Sequence, residues 1–141
     1  MDYVLTTNAL SKEYGTFKAL NAVSMHIPKG AIYGFVGKNG AGKTTLIRLI
    51  CGLQAATSGE YTLYGRKSTD KEINKSRRRM GAVVETPSIY LDMTAEENLK
   101  EQYRILGLPS FDGLKELLKL VGLENTGKKK AKNFSLGMRQ R

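Results

Sequence analysis

The sequence predicts an α/β fold built around a glycine-rich loop, and three observations predict it. Residues 37–45 read GKNGAGKTT, directly after the apolar run of residues 31–36 and directly before the apolar-periodic stretch of residues 46–53. The spacing Gly37, Gly42, Lys43, Thr44 satisfies GxxxxGK[ST], in which a strand feeds a loop that opens a helix. Strand signals dominate before that loop, and helix signals dominate after Pro87.

Each element has a local reason. Apolar and β-branched residues mark strands over residues 3–6, 23–27 and 31–36, with Lys29 and Gly30 closing a tight turn between the last two. Over residues 44–53 the spacing of Leu46, Ile50 and Leu53 predicts a helix packed on a sheet, with Gly52 near its end. Thr57, Ser58 and Gly59 are turn chemistry, followed by a short strand over 60–64 and another turn at Gly65. A polar helix is expected over 70–79, feeding a strand over 80–84. Thr94 followed three residues later by Glu97 is a capping box, and Leu99, Tyr103 and Leu106 mark one face of the helix it opens. Leu114, Leu117, Leu118 and Val121 repeat the pattern in a second helix ending near Gly122, and Ser135 can cap a third. The expected organisation is a β-rich part over 1–36, a core carrying the phosphate loop over 37–92 and a small helical subdomain over 93–141.

The loop's residue types follow from what a polyphosphate needs. Gly37, Gly40 and Gly42 admit backbone angles closed to other residues and let the chain pass close to an anion. With Lys38, Asn39 and Ala41 between them, successive amides turn inward, and a helix opening near Lys43 adds its positive end. Lys43 supplies a mobile charge for the β- and γ-phosphates, Thr44 a hard oxygen suited to Mg²⁺, and Thr45 continues the row of amides.

Size and composition narrow the class further. The 141 residues are one domain's worth, or a piece of a larger domain, and 40% hydrophobic with 26% charged residues is ordinary for a globular chain. No segment approaches the roughly 20 apolar residues of a membrane span, and the N-terminus carries no secretory signal, so a cytoplasmic location is expected. Cys51 is the only cysteine and reads as a small core residue within LIRLICGL; His26 is equally alone, which argues against a histidine-rich metal site. The net charge of +10 raises the question of nucleic acid. Its clusters, Arg77 to Arg79 and Lys128, Lys129, Lys130 and Lys132, lack interleaved aromatics and read as solvated faces, so nucleic acid is not the expected partner.

A phosphate loop alone does not choose among kinases, GTPases, motor ATPases and transporters. Tyr14, in the turn KEYGTFKAL, offers an aromatic that could stack on a base, although alone it reads as an ordinary surface or core tyrosine. TSGEYTLYG follows the loop's helix, and the chain ends in FSLGMRQR, where a capped helix start could meet an anion. Taken in order, these segments closely resemble the ATP-binding domain of ABC transporters, over essentially the whole chain. The resemblance implies an ABC-type core of the P-loop NTPase class with an N-terminal antiparallel β subdomain and a helical subdomain. It assigns an aromatic A-loop to Tyr14, the Walker A loop to residues 37–45, the Q-loop position to Glu85, and the signature to Ser135, Leu136, Gly137 and Met138.

Two departures point to a branch. Glu85 stands where the family usually has glutamine, and FSLGMRQR replaces LSGGQQQR, features that resemble the bacitracin-resistance and lantibiotic-immunity exporters. A carboxylate at 85 adds a hard-oxygen ligand near Mg²⁺, although it also reads as the end of a strand. The resemblance therefore implies ATP and Mg²⁺ as cofactors, Lys43 and Glu85 as catalytic groups, Thr44 and Glu85 as metal ligands, and a head-to-tail homodimer in which Ser135 meets ATP held by the opposite subunit. It further implies membrane-spanning permease partners that place the protein on the inner face of the membrane. Family members follow the signature with a strand ending in Asp-Glu and a switch histidine, which are not found here, so the chain is expected to be the N-terminal portion of the domain and inactive alone. The competing classes are a non-transport ABC ATPase acting on DNA or the ribosome and a non-hydrolysing nucleotide-binding fragment. The long heptad insertion of DNA-repair relatives is missing between Lys43 and Ser135.

Overall fold

A computed structural model describes residues 2–141. The architecture is mixed α/β, as the sequence predicts, and it divides into two units, one ending at Glu85 and one beginning at Thr86.

The first unit is organised by a long hairpin. Strands β1 (Tyr3–Tyr14) and β2 (Phe17–Pro28) pair antiparallel, and Gly15 at φ +59° helps turn the chain between them. Strand β3 (Ser58–Leu63) pairs with the other edge of β1, and the two-residue β4 (Arg66–Lys67) pairs with β3, giving the antiparallel order β2-β1-β3-β4. Both long strands extend well beyond the expected segments because each is bulged. Ala9 and Ala22 hold φ +47°, and the β1 register shifts between Thr7 and Leu10, so the inward set runs Leu5, Thr7 and then Leu10. A bulge breaks the two-residue period by which a strand is read from sequence. The buried Thr7 is satisfied: its hydroxyl donates to Val23 O at 2.9 Å and accepts from Met25 N at 3.0 Å. Gly59 lies against this bulge at φ +75°, where a Cβ would stand 2.2 Å from Ala9 O, so only glycine lets β3 approach.

Helix α1 (Lys43–Cys51) covers the sheet. Its Leu46 and Leu49 join Leu5, Leu10, Leu20, Met25, Tyr61, Leu63 and Ile73 in one core. Each such buried side chain is worth about 1.5–3 kcal/mol of transfer free energy. Gly52, left-handed at φ +77°, ends the helix, with Gly52 N donating to Leu49 O and Leu53 N to Arg48 O. Leu53, expected on the buried face, therefore lies past the helix end and is exposed, while Leu49 takes its place. The polar helix is shorter than expected, with α2 covering Ile73–Arg77.

Two expected strands are not formed. Residues 31–36 and 80–84 have no ladder among the described residues, and Ile32, Val36 and Val83 are exposed. Strand propensity describes a side chain suited to a pleated surface, but a strand exists only where a neighbour takes its backbone hydrogen bonds.

The second unit is helical: α3 (Ala95–Ile105), α4 (Leu114–Leu120), a 3-10 turn (Ala131–Asn133) and α5 (Leu136–Gln140). The capping box forms as expected. Glu97 N donates to Thr94 Oγ1 at 3.2 Å and Thr94 N to Glu97 Oε2 at 2.7 Å, and these bonds, with Lys130 beside them, hold the Glu97 carboxyl below its usual range. Ala95, Leu123, Ala131 and Phe134 form the core, with Ile89, Leu118, Val121 and Met138 packed on it. Two backbone bonds, Ala131 N to Met93 O and Lys132 N to Leu91 O, both 2.8 Å, tie the approach to α5 against the approach to α3. Leu106 and Leu117, expected on apolar faces, are exposed, because α3 stops at Ile105 and only Leu114 of α4 is fully buried. Among the described residues no helix is long and apolar enough to cross a membrane.

Candidate phosphate-binding site

Residues 37–42 form an exposed or half-buried loop that enters α1 at Lys43. Gly40 and Gly42 hold φ +82° and +91°, the left-handed turns that a row of inward amides requires. Gly42 is fixed by packing as well as by angle. A Cβ there would lie 2.2 Å from Ala19 O and 3.3 Å from the Leu20 side chain, so β2 backs the loop from below. Gly37 passes close to Ala41, where a Cβ would stand 3.2 Å from the alanine methyl.

The start of α1 suits an anion by what it lacks and what it carries. No side chain caps the helix, its N-cap is glycine, and no acidic residue lies in the first turn. The Lys43 ammonium folds over the loop and donates to Gly37 O at 2.5 Å and Lys38 O at 2.7 Å. Its charge thus sits beside the uncapped amides, where a polyphosphate would be stabilised by both. Thr44 is half-buried in the first turn. Among the described residues no group of three or more His, Cys, Asp or Glu could hold a metal ion.

Other expected site residues fall in three places. Glu85 is the last residue of the first unit, left-handed at φ +65°, and its Oε1 accepts from Arg48 Nη2 of α1 at 2.9 Å. Tyr14 ends β1 rather than lying in a turn. Its ring is half-exposed, its hydroxyl donates to Gln54 Oε1 at 2.8 Å, and the Lys12 ammonium lies 5.2 Å from the ring centre. Ser135 caps α5 in the second unit, accepting from Met138 N at 3.2 Å, with Leu136 and Gly137 exposed in the first turn. Sequence reasoning missed Arg48. Its signal was the four-residue spacing from Thr44, which puts both on one helix face.

Burial pushes the Cys51 thiol up, partly offset by Arg77, in keeping with a packing role. Much of the basic charge is engaged internally. Arg77 bonds Asn74 Oδ1 and the Tyr61 hydroxyl, Arg79 lies 4.0 Å from the Tyr64 ring centre, and Lys130 and Lys132 pair with Glu97 and Asp92.

A strand-backed glycine loop opening an uncapped helix, with a lysine folded over it, defines a phosphate-loop nucleotide-binding protein. The chain belongs to the ABC transporter family, whose sequence pattern matches residues 20–141. It is 41% identical over 143 residues to the bacitracin transport ATP-binding protein BcrA of Bacillus licheniformis, covering 100% of this chain and 46% of that protein. It is 39% identical over 138 residues to the lantibiotic transport ATP-binding protein SrtF of Streptococcus pyogenes, covering 98% of this chain and 58% of that one. Among solved structures, the ATP-binding subunit of an ABC transporter superposes with a TM-score of 0.79 at 30% identity, over 97% of this chain and 58% of that chain. CbiO1 from Clostridium perfringens, part of the ABC transporter complex cbiONQ, superposes with a TM-score of 0.80 at 25% identity, over 99% and 59%. The chain spans about half the length of the curated relatives it matches. Domains of this family bind ATP, generally with Mg²⁺.

Proposed function

We propose that this chain is the ATP-holding part of an ABC exporter subunit that, as the intact protein, hydrolyses Mg-ATP to drive export of a peptide antibiotic or a similar substrate. The observation that carries the reading is the start of α1, where glycine turns, uncapped amides and the Lys43 ammonium converge on one spot. In this reading the amides of residues 40–45 cradle the phosphates, Lys43 bonds the β- and γ-oxygens, and Tyr14 stacks on the base. Thr44 and Glu85 hold the metal, which when bound neutralises charge on the phosphates. The similarity to bacitracin and lantibiotic transport proteins supports the substrate class. The internal engagement of Arg77, Arg79, Lys130 and Lys132 speaks against a nucleic-acid partner.

The partners in this reading are membrane-spanning permease subunits and a second copy of the protein arranged head to tail. Ser135, Leu136, Gly137 and Met138 of one copy then contact ATP on the loop of the other, and the assembly lies on the inner face of the membrane. In this reading these residues supply ATP binding, and hydrolysis is a property of the intact protein. The test is Ser135→Arg in the intact protein. ATP-dependent dimerisation, measured by light scattering, is expected to disappear while nucleotide binding by the monomer persists; dimerisation that survives the change contradicts the head-to-tail reading. Glu85→Gln is expected to alter coupling to the permease more than nucleotide affinity, and unchanged transport together with unchanged stimulation by the permease would sink the role given to Glu85.

A further inference from the structure

The contact between Glu85 and Arg48 does little for stability. The pair is 2.9 Å long, but the arginine and glutamate side chains are 36% and 59% exposed, and exposed pairs of this kind contribute little to folding. Glu85 nevertheless holds φ +65°, a left-handed conformation that is unfavourable for a residue with a Cβ and free for glycine. A carboxylate is therefore kept where the backbone favours glycine, and strain of that sort concentrates at functional positions. Its partner is not on a neighbouring loop but on α1. Arg48 stands one helical turn after Thr44 on the same face, and helical side chains lean toward the N-terminus, which carries the guanidinium back toward the turn that holds Thr44. Among the described residues Arg48 is the one cation paired with Glu85.

We propose that Arg48 is a positioning residue that holds the Glu85 carboxylate beside the phosphate loop and yields it to the nucleotide's metal ion, so that Arg48 and Mg²⁺ compete for one carboxylate. The inference rests on the reading of Glu85 as a metal-facing group. Without metal, Arg48 neutralises a carboxylate that would otherwise repel the triphosphate. With metal, releasing the arginine gives the cation a further hard-oxygen ligand. Arg48 thereby sets how strongly nucleotide binding depends on Mg²⁺.

The experiment measures ATP affinity of the intact protein by calorimetry, with Mg²⁺ and with EDTA, and reads the ratio of the two; it needs no turnover. R48A is expected to raise that ratio about fivefold, the upper range for an exposed charge pair, because the freed carboxylate attracts the metal and repels bare ATP. R48K keeps the cation and is expected to stay near the unmodified protein. E85Q is expected to lower the ratio, and adding R48A to it to change nothing further. If R48A does not fold, R48Q must give the same rise. An unchanged ratio in R48A, or an equal rise in the E85Q background, overturns the role of Arg48 while the metal-facing reading of Glu85 stands. An unchanged ratio in E85Q overturns that reading and the inference with it.

Discussion

Two helix starts in this molecule are candidates to meet phosphate, and they are built in opposite ways. Helix α1 has nine residues, a glycine N-cap, no side-chain cap and no acidic residue in its first turn, with Lys43 folded over the opening. Helix α5 has five residues, and its Ser135 already accepts from Met138 N. The first has no side-chain cap and adds a cation, the two features that an anion site of its own requires. The second satisfies one amide internally and is too short to project much dipole, so any phosphate it meets has to be held elsewhere. This contrast is what a composite site between two chains would require, with one half that binds and one half that completes.

Substitutions can break that contrast at either end. Gly42→Ala carries the largest expected effect, because the new methyl meets Ala19 O at 2.2 Å in a left-handed residue. Strain and clash together are expected to remove about 2–4 kcal/mol, read as a lower urea midpoint. Gly40→Ala tests whether angle or packing matters: at φ +82° with nothing within 4 Å, it should cost about 1 kcal/mol. An equal loss at both positions would show that β2 does not back the loop. Ser135→Ala removes the cap of α5 and is expected to lower local helix stability by about 0.5–1 kcal/mol, visible as faster amide exchange in α5 with α1 unaffected. The smallest effect concerns α3. The Glu97 carboxyl lies below its usual range chiefly through the Thr94 backbone bond, so its contribution is present at neutral pH and is lost as pH falls through and below the ordinary carboxylate range. Glu97→Gln should flatten the acid limb of stability against pH; an unchanged limb would show that the capping box contributes nothing through its charge.

What was legible in the sequence was chemistry carried by consecutive residues. The loop at 37–45 and the capping box at Thr94 and Glu97 each need only a few neighbours, so their motifs appear intact in the structure. Elements whose form depends on distant partners were harder to read. The hairpin is more than twice the length its alternation suggests because Ala9 and Ala22 are bulged, which shifts the inward face partway along β1. Residues 31–36 and 80–84 have the composition of strands but no ladder among the described residues, and composition cannot say where a backbone partner stands. Leu49 took the place expected for Leu53 because a left-handed Gly52 ended the helix first. Arg48 escaped notice because no motif names it; only the contact with Glu85 shows that the face of α1 one turn past Thr44 is in use.

The central claim is that the opening of α1 holds the phosphates of ATP and that Lys43 supplies the charge there. The most direct measurement is ATP affinity of the intact protein with Lys43→Ala, alongside its far-ultraviolet circular dichroism without nucleotide. A loss of tenfold or more in affinity, about the strength of one charge-assisted hydrogen bond, with helix content unchanged is the predicted result. Unchanged affinity in a folded Lys43→Ala protein would contradict it.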